Sequence, residues 1–312
     1  PLFPVQYRKK EGIPMVRSKL APIYIILAGC LWGSMGLFVR RLGAMGLGSM
    51  EIVELRSFLA VILLFSVTAI RSPSQLRIKG RNLLPLICSG IFSIIFFNYC
   101  YFSTIRLLNL SAAAILLYTA PIFVMLLSIP LFHEALTARK LLALCMAFAG
   151  CCLVSGIVTA SQRLSLQGVL LGLGSGFGYA LYSIFSRISL NQGLGSITIT
   201  DYTFLFAAIA GTFLTDFTQY SAAFSSFGAE FLLLAVVYTI VTTVLPYLLY
   251  TAGLSQVETG TASVLASVEP VVATVLGFVV FSETPTLEAL LGILLVLAAL
   301  VLLSIKKKRN NA

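Results

Sequence analysis

Long apolar runs alternate with short polar breaks along this chain. Ten runs approach the length of about 20 residues that a helix needs to cross a hydrocarbon core of roughly 30 Å. They cover about residues 20–39, 49–70, 82–102, 107–130, 139–157, 167–188, 197–216, 230–251, 258–281 and 286–305. Helices satisfy their backbone polar groups within one segment. The pattern therefore predicts an all-α membrane protein with ten transmembrane helices and short loops.

The two halves of the chain repeat each other. Tyr118–Thr137 matches Leu265–Thr286 at an offset of 149 residues, and the first helix repeats at an offset of 147, which places Trp32 on Tyr179. Matched pairs in the longer stretch are Pro121 and Pro270, Phe132 and Phe281, Glu134 and Glu283, and Thr137 and Thr286. Five spans per half is an odd number, so the second half enters the membrane from the opposite side. The ten helices are therefore predicted to form two inverted five-helix repeats.

The repeat gives the domain organisation. The first five-helix repeat is predicted at residues 20–157 and the second at 167–305, with an N-terminal segment at 1–19 and a basic tail at 306–312. Residues 1–14 have no signal-peptide core and precede Met15, which we interpret as the natural start.

Composition supports a membrane protein. The chain is 59% hydrophobic and 10% charged, against about 25% charged residues in soluble domains. The net charge of +10 would suggest a nucleic-acid partner in a soluble protein, but most basic residues lie between apolar runs, so none is predicted. The six cysteines lie inside apolar runs without metal-ligand spacing, and no metal or cofactor is predicted.

The basic residues predict the orientation. With a cytoplasmic N-terminus, sixteen Lys and Arg residues fall on the inner side and four on the outer side. Cytoplasmic loops of membrane proteins carry such an excess. Both termini are therefore expected in the cytoplasm.

Several motifs resemble the drug/metabolite transporter superfamily, in its ten-helix branch with two EamA-type repeats. They are LWG at Leu31–Gly33, LRSF at Leu55–Phe58, Pro121 followed by Glu134, and Glu269-Pro270 followed by Glu283. The resemblance implies a bacterial inner-membrane carrier that exports amino acids or other small metabolites. One departure is Ala120-Pro121 in the first repeat, so any task of the Glu269 carboxylate belongs to one half only.

Glu269 is the leading candidate for a functional charge, because ionisable groups inside a span are costly and usually functional. It lies well inside the ninth span next to Pro270. It can bind a substrate ammonium group or a proton, or it can accept a hydrogen bond that stabilises a kink at the proline.

Glu54 and Asp201 occupy equivalent places at the offset of 147, in the second and seventh spans. Arg56 lies close enough in sequence to Glu54 to pair with an acid on a neighbouring helix. We predict structural ion pairing or gating for this group.

Aromatic residues near the middle of the spans form a second set, since a buried hydroxyl or indole N–H needs a partner. The substrate-binding candidates are Trp32, Asn98, Tyr99, Tyr118, Tyr179, Tyr182 and Glu269. Tyr101 and Tyr250 lie at span ends and are typical of interface anchors. Gly29 and Gly33, with two further small-residue pairs in the sixth span, predict close helix contacts. Glu134 and Glu283 are interpreted as capping positions at opposite sides of the membrane.

These features predict a secondary transporter that moves a small metabolite by alternating access, with the lipid bilayer as its surroundings and protons as a candidate coupling ion. Amino acids and quaternary ammonium cations both fit a carboxylate among aromatic rings. An intramembrane enzyme acting on lipid-linked substrates is the alternative of another class, but one histidine and short loops offer it little chemistry. A channel remains a third interpretation.

Overall fold

The computed structural model describes residues 20–155, 165–282, 284 and 286–304, and over these ranges the chain is helical with no strand. Ten helices, α1 to α10, run through Ala21–Ala44, Ser49–Arg71, Gly80–Leu107, Leu110–Phe132, Ala138–Val154, Leu166–Asn191, Ser196–Leu214, Ala229–Leu254, Thr259–Phe281 and Leu287–Ser304. Nine of these described helices are long and apolar enough to cross a membrane, and α5, with 17 residues, is the remaining predicted span. The predicted all-helical membrane fold is confirmed. Residues 1–19 and 305–312, like Glu283, lie outside the described ranges.

The connection between α7 and α8 contains a further helix, Thr218–Phe227, where the sequence predicted only a polar break. The backbone N–H and the hydroxyl of Thr218 both donate to Asp216, at 3.0 and 2.7 Å. These hydrogen bonds lower the pKa of the exposed Asp216 carboxyl. Gly228 follows the helix with a positive φ of 52°, which glycine adopts without steric cost.

Irregularities of the helices repeat between the halves. A π-helical segment interrupts α3 at Ile91–Phe96, and another interrupts α8 at Ile240–Val244, 149 positions later. Helix α4 is broken just before Ala120–Phe132, and α9 just before Glu269–Phe281. Both breaks precede a proline at the second position of the new segment, where the missing N–H is tolerated. The duplication is therefore visible in the backbone.

The helices of the two halves are interleaved in the bundle. Helix α1 contacts α8 and α9, whereas its repeat-equivalent α6 contacts α3 and α4. The equivalent helices α2 and α7 pair with each other, as do α5 and α10. At the second pair a Cβ on Gly150 would lie 2.7 Å from the backbone oxygen of Gly292, so the two helices meet at backbone distance. We call the end of the bundle where α1 begins the N-terminal face, and the other end the opposite face.

Candidate functional site

The break in α9 is held against two glycines of α1. A Cβ on Gly33 would lie 2.6 Å from the backbone oxygen of Glu269, and one on Gly29 would lie 2.8 Å from that of Ala266. Only glycine allows this approach of two backbones. The close helix contact predicted from the Gly29 and Gly33 spacing is present, and it places Glu269 beside α1 near the middle of the bundle.

The break in α4 has the same arrangement with α6. A Cβ on Gly176 would lie 2.7 Å from the backbone oxygen of Leu116, and the Thr119 hydroxyl donates to that oxygen at 2.6 Å. Each broken helix therefore lies against the first helix of the other repeat. This arrangement brings Tyr118 of α4 towards Glu269 of α9.

An aromatic cluster surrounds Trp32 of α1. The centre of its ring lies 6.2 Å from Tyr179, 5.2 Å from Tyr247 and 5.4 Å from Tyr250. Phe97 of α3 extends the cluster, at 5.4 Å from Tyr179. The ring of Trp32 meets Tyr179 and Tyr247 edge to face, a favourable geometry for aromatic pairs.

Glu269 lies at the edge of this cluster with few polar contacts. The Tyr179 hydroxyl donates to its carboxylate at 3.2 Å, and no described basic residue forms an ion pair with it. The Trp32 indole N–H is buried and has no hydrogen-bond partner among the residues that the structure describes. The site therefore offers one carboxylate, one unused N–H donor and several ring faces.

Four polar side chains remain partly accessible although protein surrounds them, and they are Tyr101, Tyr118, Tyr179 and Glu269. Tyr101 lies in the last turns of α3 and Tyr118 in the first few turns of α4, so both lie towards the opposite face. Glu269 lies close to the midpoint of α9. Tyr101, Tyr118 and Tyr179 all lie near the Glu269 carboxylate, and we call the region around these four residues the central cleft.

Hydroxyl groups close the bundle between the cleft and the N-terminal face. Tyr182 and Thr251 share a hydrogen bond of 2.7 Å, and Ser183 and Tyr250 share another of 2.7 Å. All four side chains are buried. Both bonds join α6 to α8, so helices of the second repeat form this layer.

A second closure, which we call the clasp, lies at the N-terminal face and consists of Glu134, Arg187, Thr259 and Gly260. The Glu134 carboxylate accepts the backbone N–H groups of Thr259 at 2.6 Å and Gly260 at 3.0 Å. Arg187 donates to the Thr259 hydroxyl at 2.9 Å and to the backbone oxygen of Val257. Glu134, from the first repeat, thus caps the first turn of α9, where free N–H groups favour a negative charge. Its interpretation as a capping residue is correct, but it caps a helix of the other half.

A salt bridge at the N-terminal face also joins the halves. Lys140 at the start of α5 lies 2.6 Å from Glu258, just before α9, and donates to the backbone oxygen of Ala135 at 2.8 Å. The corresponding end of α4 at the opposite face is capped locally, by Asn109, which accepts from the N–H of Ala112 at 2.7 Å. Contacts between the two halves therefore hold the N-terminal face together.

The structure brings together most of the predicted substrate-binding residues. Trp32, Tyr118, Tyr179, Tyr182 and Glu269 lie in or next to the cleft and its aromatic cluster. Asn98 is buried, and its amide donates to Ile94 of its own helix at 2.7 Å, within the π-helical region.

Tyr99 does not join the cluster, because its side chain is 47% exposed on the outside of the bundle. Tyr250 is the reverse case. It was expected as an interface anchor, yet it is buried against Trp32. Tyr247 and Tyr250 are members of the cluster that were not among the predicted substrate-binding residues, although their spacing places both on one face of α8.

The ion pair expected for Arg56 is not found among the described residues. Arg56 is 1% exposed, and its guanidinium contacts the Met35 sulfur at 3.8 Å while Nε has no hydrogen bond. Glu54 meets α7 instead, because two residues that are two positions apart on a helix point in nearly opposite directions. Asp201 is also buried without an ion pair in the described ranges.

A groove with a volume of about 560 Å³ lies outside the cleft, on the surface between α3 and α6. It is lined by Phe96, Cys100, Leu166, Gln167, Leu170, Leu171 and Gly174. The groove contains none of the candidate site residues, and its apolar lining is expected of a surface that faces lipid.

An inverted bundle of about ten apolar helices, with a carboxylate where the halves meet, has the architecture of secondary transporters. Similarity to known proteins supports the same class of protein. The chain matches the EamA-like transporter family twice, at residues 19–156 and 166–305. This chain therefore belongs to the EamA-like transporter family, and it is a transporter rather than an enzyme.

Individual relatives are more distant. The chain is 29% identical over 289 residues to an uncharacterized transporter of Archaeoglobus fulgidus, which covers 89% of this chain and 94% of the relative. It is 25% identical to the uncharacterized transporter YxxF of Bacillus subtilis, over 95% of this chain and 94% of YxxF. It is 26% identical to the threonine/homoserine exporter RhtA of Escherichia coli, over 81% of this chain and 80% of RhtA.

A solved crystal structure superposes on the chain with a TM-score of 0.73 and 18% sequence identity. The match covers 90% of this chain and 95% of the other. At this identity the likeness shows the fold alone.

Proposed function

We propose that this chain is a secondary exporter of small metabolites that carry an ammonium group, such as amino acids. It works by alternating access around the central cleft. The observation that carries the proposal is Glu269, a carboxylate in the central cleft that accepts a hydrogen bond from the Tyr179 hydroxyl. A negative charge in this position is costly unless a cation visits it. The neighbouring rings of Trp32 and Tyr179 add the attraction of their faces for a cation.

Amino acids are the preferred substrate class for two reasons. RhtA, a relative over four-fifths of the chain, is named a threonine/homoserine exporter. An amino acid also carries a carboxylate, and the Trp32 indole N–H, which has no hydrogen-bond partner in the described ranges, is a donor for it. The second candidate class is quaternary ammonium cations, which need only the rings and the Glu269 carboxylate.

The conformation fits one stage of an alternating-access cycle. The clasp and the hydroxyl layer close the N-terminal face, and the proposed path for the substrate runs past Tyr101 and Tyr118 at the opposite face. Rocking of the first repeat, residues 20–157, against the second, residues 167–305, would break the clasp and close that path. The substrate would then exchange with the N-terminal face.

The excess of Lys and Arg supports an N-terminal face in the cytoplasm of a bacterial cell, with both termini there. In this orientation a path past Tyr101 and Tyr118 would face outward, which is the arrangement from which an exporter releases its substrate. Protons are the candidate coupling ion, and the surrounding partner is the lipid of the cytoplasmic membrane.

Transport by purified protein in proteoliposomes tests the proposal. Labelled threonine, homoserine and choline are offered to the parent, to Glu269→Gln and to Glu230→Gln. Glu230 pairs with Arg41 at the surface, so its variant controls for the substitution itself. We expect saturable transport of at least one amino acid by the parent and the control, and its loss in Glu269→Gln. Transport that is unchanged in Glu269→Gln would overturn the proposed site, and a parent that transports none of the three would overturn the proposed substrate classes.

A further inference from the structure

Glu54 and Asp201 form a symmetric pair of buried acids outside the central cleft. Glu54 is the sixth residue of α2 and Asp201 the sixth residue of α7, the helix equivalent to α2 in the second repeat. Their side chains are 1% and 0% exposed. At 1.5 Å per residue, each lies about 7.5 Å inside its helix. Glu54 is near the opposite face and Asp201 is near the N-terminal face.

Glu54 meets a hydroxyl group of α7. The Thr212 hydroxyl donates to the backbone oxygen of Ala208 at 2.8 Å and lies 3.3 Å from one carboxylate oxygen of Glu54. The other carboxylate oxygen is buried without a hydrogen-bond partner in the described ranges. That second oxygen also occupies the space beside Gly211, where a Cβ would clash with it. Helices α2 and α7 thus enclose the acid.

The ionisable groups around Glu54 are directed elsewhere. Tyr220 of the connecting helix donates its hydroxyl to the backbone oxygen of Glu51 at 2.7 Å. The Glu51 carboxylate accepts the backbone N–H of Asp216 at 3.1 Å. Arg56, on the same helix as Glu54, contacts Met35. In the described part of the chain, no basic group neutralises Glu54.

Asp201 has still fewer contacts. Both of its carboxylate oxygens, and the Thr68 hydroxyl of α2 beside them, are buried without a hydrogen-bond partner among the described residues. The neighbouring Tyr202 donates its own hydroxyl to the backbone oxygen of Leu76 at 2.7 Å. From α3, Ser89 bonds to Thr203 at 3.0 Å. Within the described ranges, none of the elements packed against α7 directs a basic side chain to Asp201.

These surroundings suit a neutral acid and not a carboxylate. An ionised carboxylate buried without an ion pair or N–H donors loses its hydration and gains nothing in return. A protonated carboxyl group is uncharged and brings its own O–H donor, which a threonine hydroxyl can accept. The same pairing of acid and threonine occurs twice, Glu54 with Thr212 and Asp201 with Thr68, once in each half of the α2 and α7 pair.

We propose that Glu54 and Asp201 are proton-binding sites, which both carry a proton in this conformation, and that they couple proton movement to transport. The positions of Glu54 and Asp201 along their helices support the coupling role, because one acid lies near each face of the bundle. The pair of helices α2 and α7 that carries them joins the two repeats. A proton can therefore be exchanged at either side as the repeats rock. The coupling role rests on the proposed export function, whereas proton binding does not.

Infrared spectroscopy tests proton binding without any transport assay. A neutral carboxyl group has a C=O band that is separate from the carboxylate bands and shifts in D₂O. We expect this band in the wild-type protein at neutral pH, and a loss of part of it in Glu54→Gln and in Asp201→Asn. Glu230→Gln, at the exposed Arg41 pair, is expected to leave the band unchanged. A wild-type spectrum without the neutral band, or amide variants that leave it intact, would overturn the proposal.

Proteoliposomes with an imposed pH gradient test the coupling. One proton exchanged per substrate supports an accumulation of about tenfold per pH unit. We expect each amide variant to accumulate its substrate to a limit about tenfold lower per pH unit than the wild type, with substrate counterflow in the absence of a gradient retained. Unchanged accumulation would overturn the coupling role, and so would a loss of counterflow, which would assign these residues a structural role. A wild type without saturable counterflow would contradict the export function while leaving the infrared result standing.

Discussion

The contact between α1 and the break in α9 predicts that Gly33 cannot accept even a methyl group. In Gly33→Ala the new Cβ would lie 2.6 Å from the backbone oxygen of Glu269 and 2.8 Å from the Cβ of Val272. Backbone atoms cannot move aside as the end of a flexible side chain can. Overpacking of this kind typically costs about 1–3 kcal/mol.

Gly36 provides a matched control three residues further along α1, since a Cβ there meets no atom within 4 Å. Both substitutions change helix propensity in the same direction, by up to about 1 kcal/mol in favour of alanine. The difference between Gly33→Ala and Gly36→Ala therefore isolates the packing contribution. We expect Gly33→Ala to be less stable than Gly36→Ala by about 1–3 kcal/mol.

Thermal unfolding in detergent, followed by circular dichroism, measures this difference. A shift of about 2–4 °C per kcal/mol places the Gly33→Ala midpoint several degrees below that of Gly36→Ala. Trp32 is the single tryptophan of the chain and lies next to Gly33, so its fluorescence reports whether the site itself rearranges. Equal midpoints for the two variants would refute the proposed backbone contact.

Three further predictions concern the cleft and its closure. Tyr179→Phe removes the hydroxyl that donates to Glu269 and keeps the ring. Substrate affinity measured by transport should change by a factor of about 2–13, as expected for a hydrogen bond of about 0.5–1.5 kcal/mol. An unchanged affinity would show that this bond does not orient the carboxylate. Glu134→Gln weakens the clasp, so a cysteine placed at the buried Ser183 should react faster with a membrane-impermeant thiol reagent applied from the N-terminal face. An unchanged labelling rate, in a background without the native cysteines, would contradict the role of the clasp as a closure. Tyr99→Ala should leave the transport rate within twofold of the parent, because the side chain lies outside the bundle; a large loss of transport would place Tyr99 on the substrate path.

The sequence was sufficient to predict the helices and the position of Glu269. The repeat of Pro121 at Pro270 marks equivalent positions in the two halves, and the kink considered at Pro270 lies where α9 is broken. A carboxylate next to one of these prolines, in a run otherwise free of charge, is conspicuous without any knowledge of packing. The structure places Glu269 at the break for the same reason.

The partners of the buried groups could not be predicted in this way. Asn98 and Tyr99 are adjacent in a helix that is apolar on all sides, yet one is buried and the other is 47% exposed. Hydropathy does not separate the lipid-facing side of such a helix from the side that faces protein. Tyr250 illustrates the same limit. Its position near the end of an apolar run suggested that it lies at the membrane–water interface, whereas the contact with Trp32 of α1 buries it.

Arg56 shows that the direction in which a side chain leaves its helix, and not sequence spacing alone, decides which residues it contacts. It lies two residues from Glu54, but the two side chains leave α2 on nearly opposite sides. Glu54 reaches Thr212 of α7, and Arg56 reaches Met35 of α1. The clasp was beyond prediction for a related reason, since Glu134 caps a helix that begins 125 residues later in the chain.

Ligand binding monitored by the fluorescence of Trp32 tests the central claim most directly. Its ring lies in the aromatic cluster next to Tyr179, which donates to Glu269, so a substrate in the cleft must change its surroundings. Purified protein is titrated with threonine, homoserine and choline, with Glu269→Gln and the surface variant Glu230→Gln compared in parallel. The account predicts a saturable change with at least one ligand in the parent and in Glu230→Gln, and none in Glu269→Gln. A saturable change of the same affinity in Glu269→Gln would contradict the assignment of this carboxylate as the substrate site.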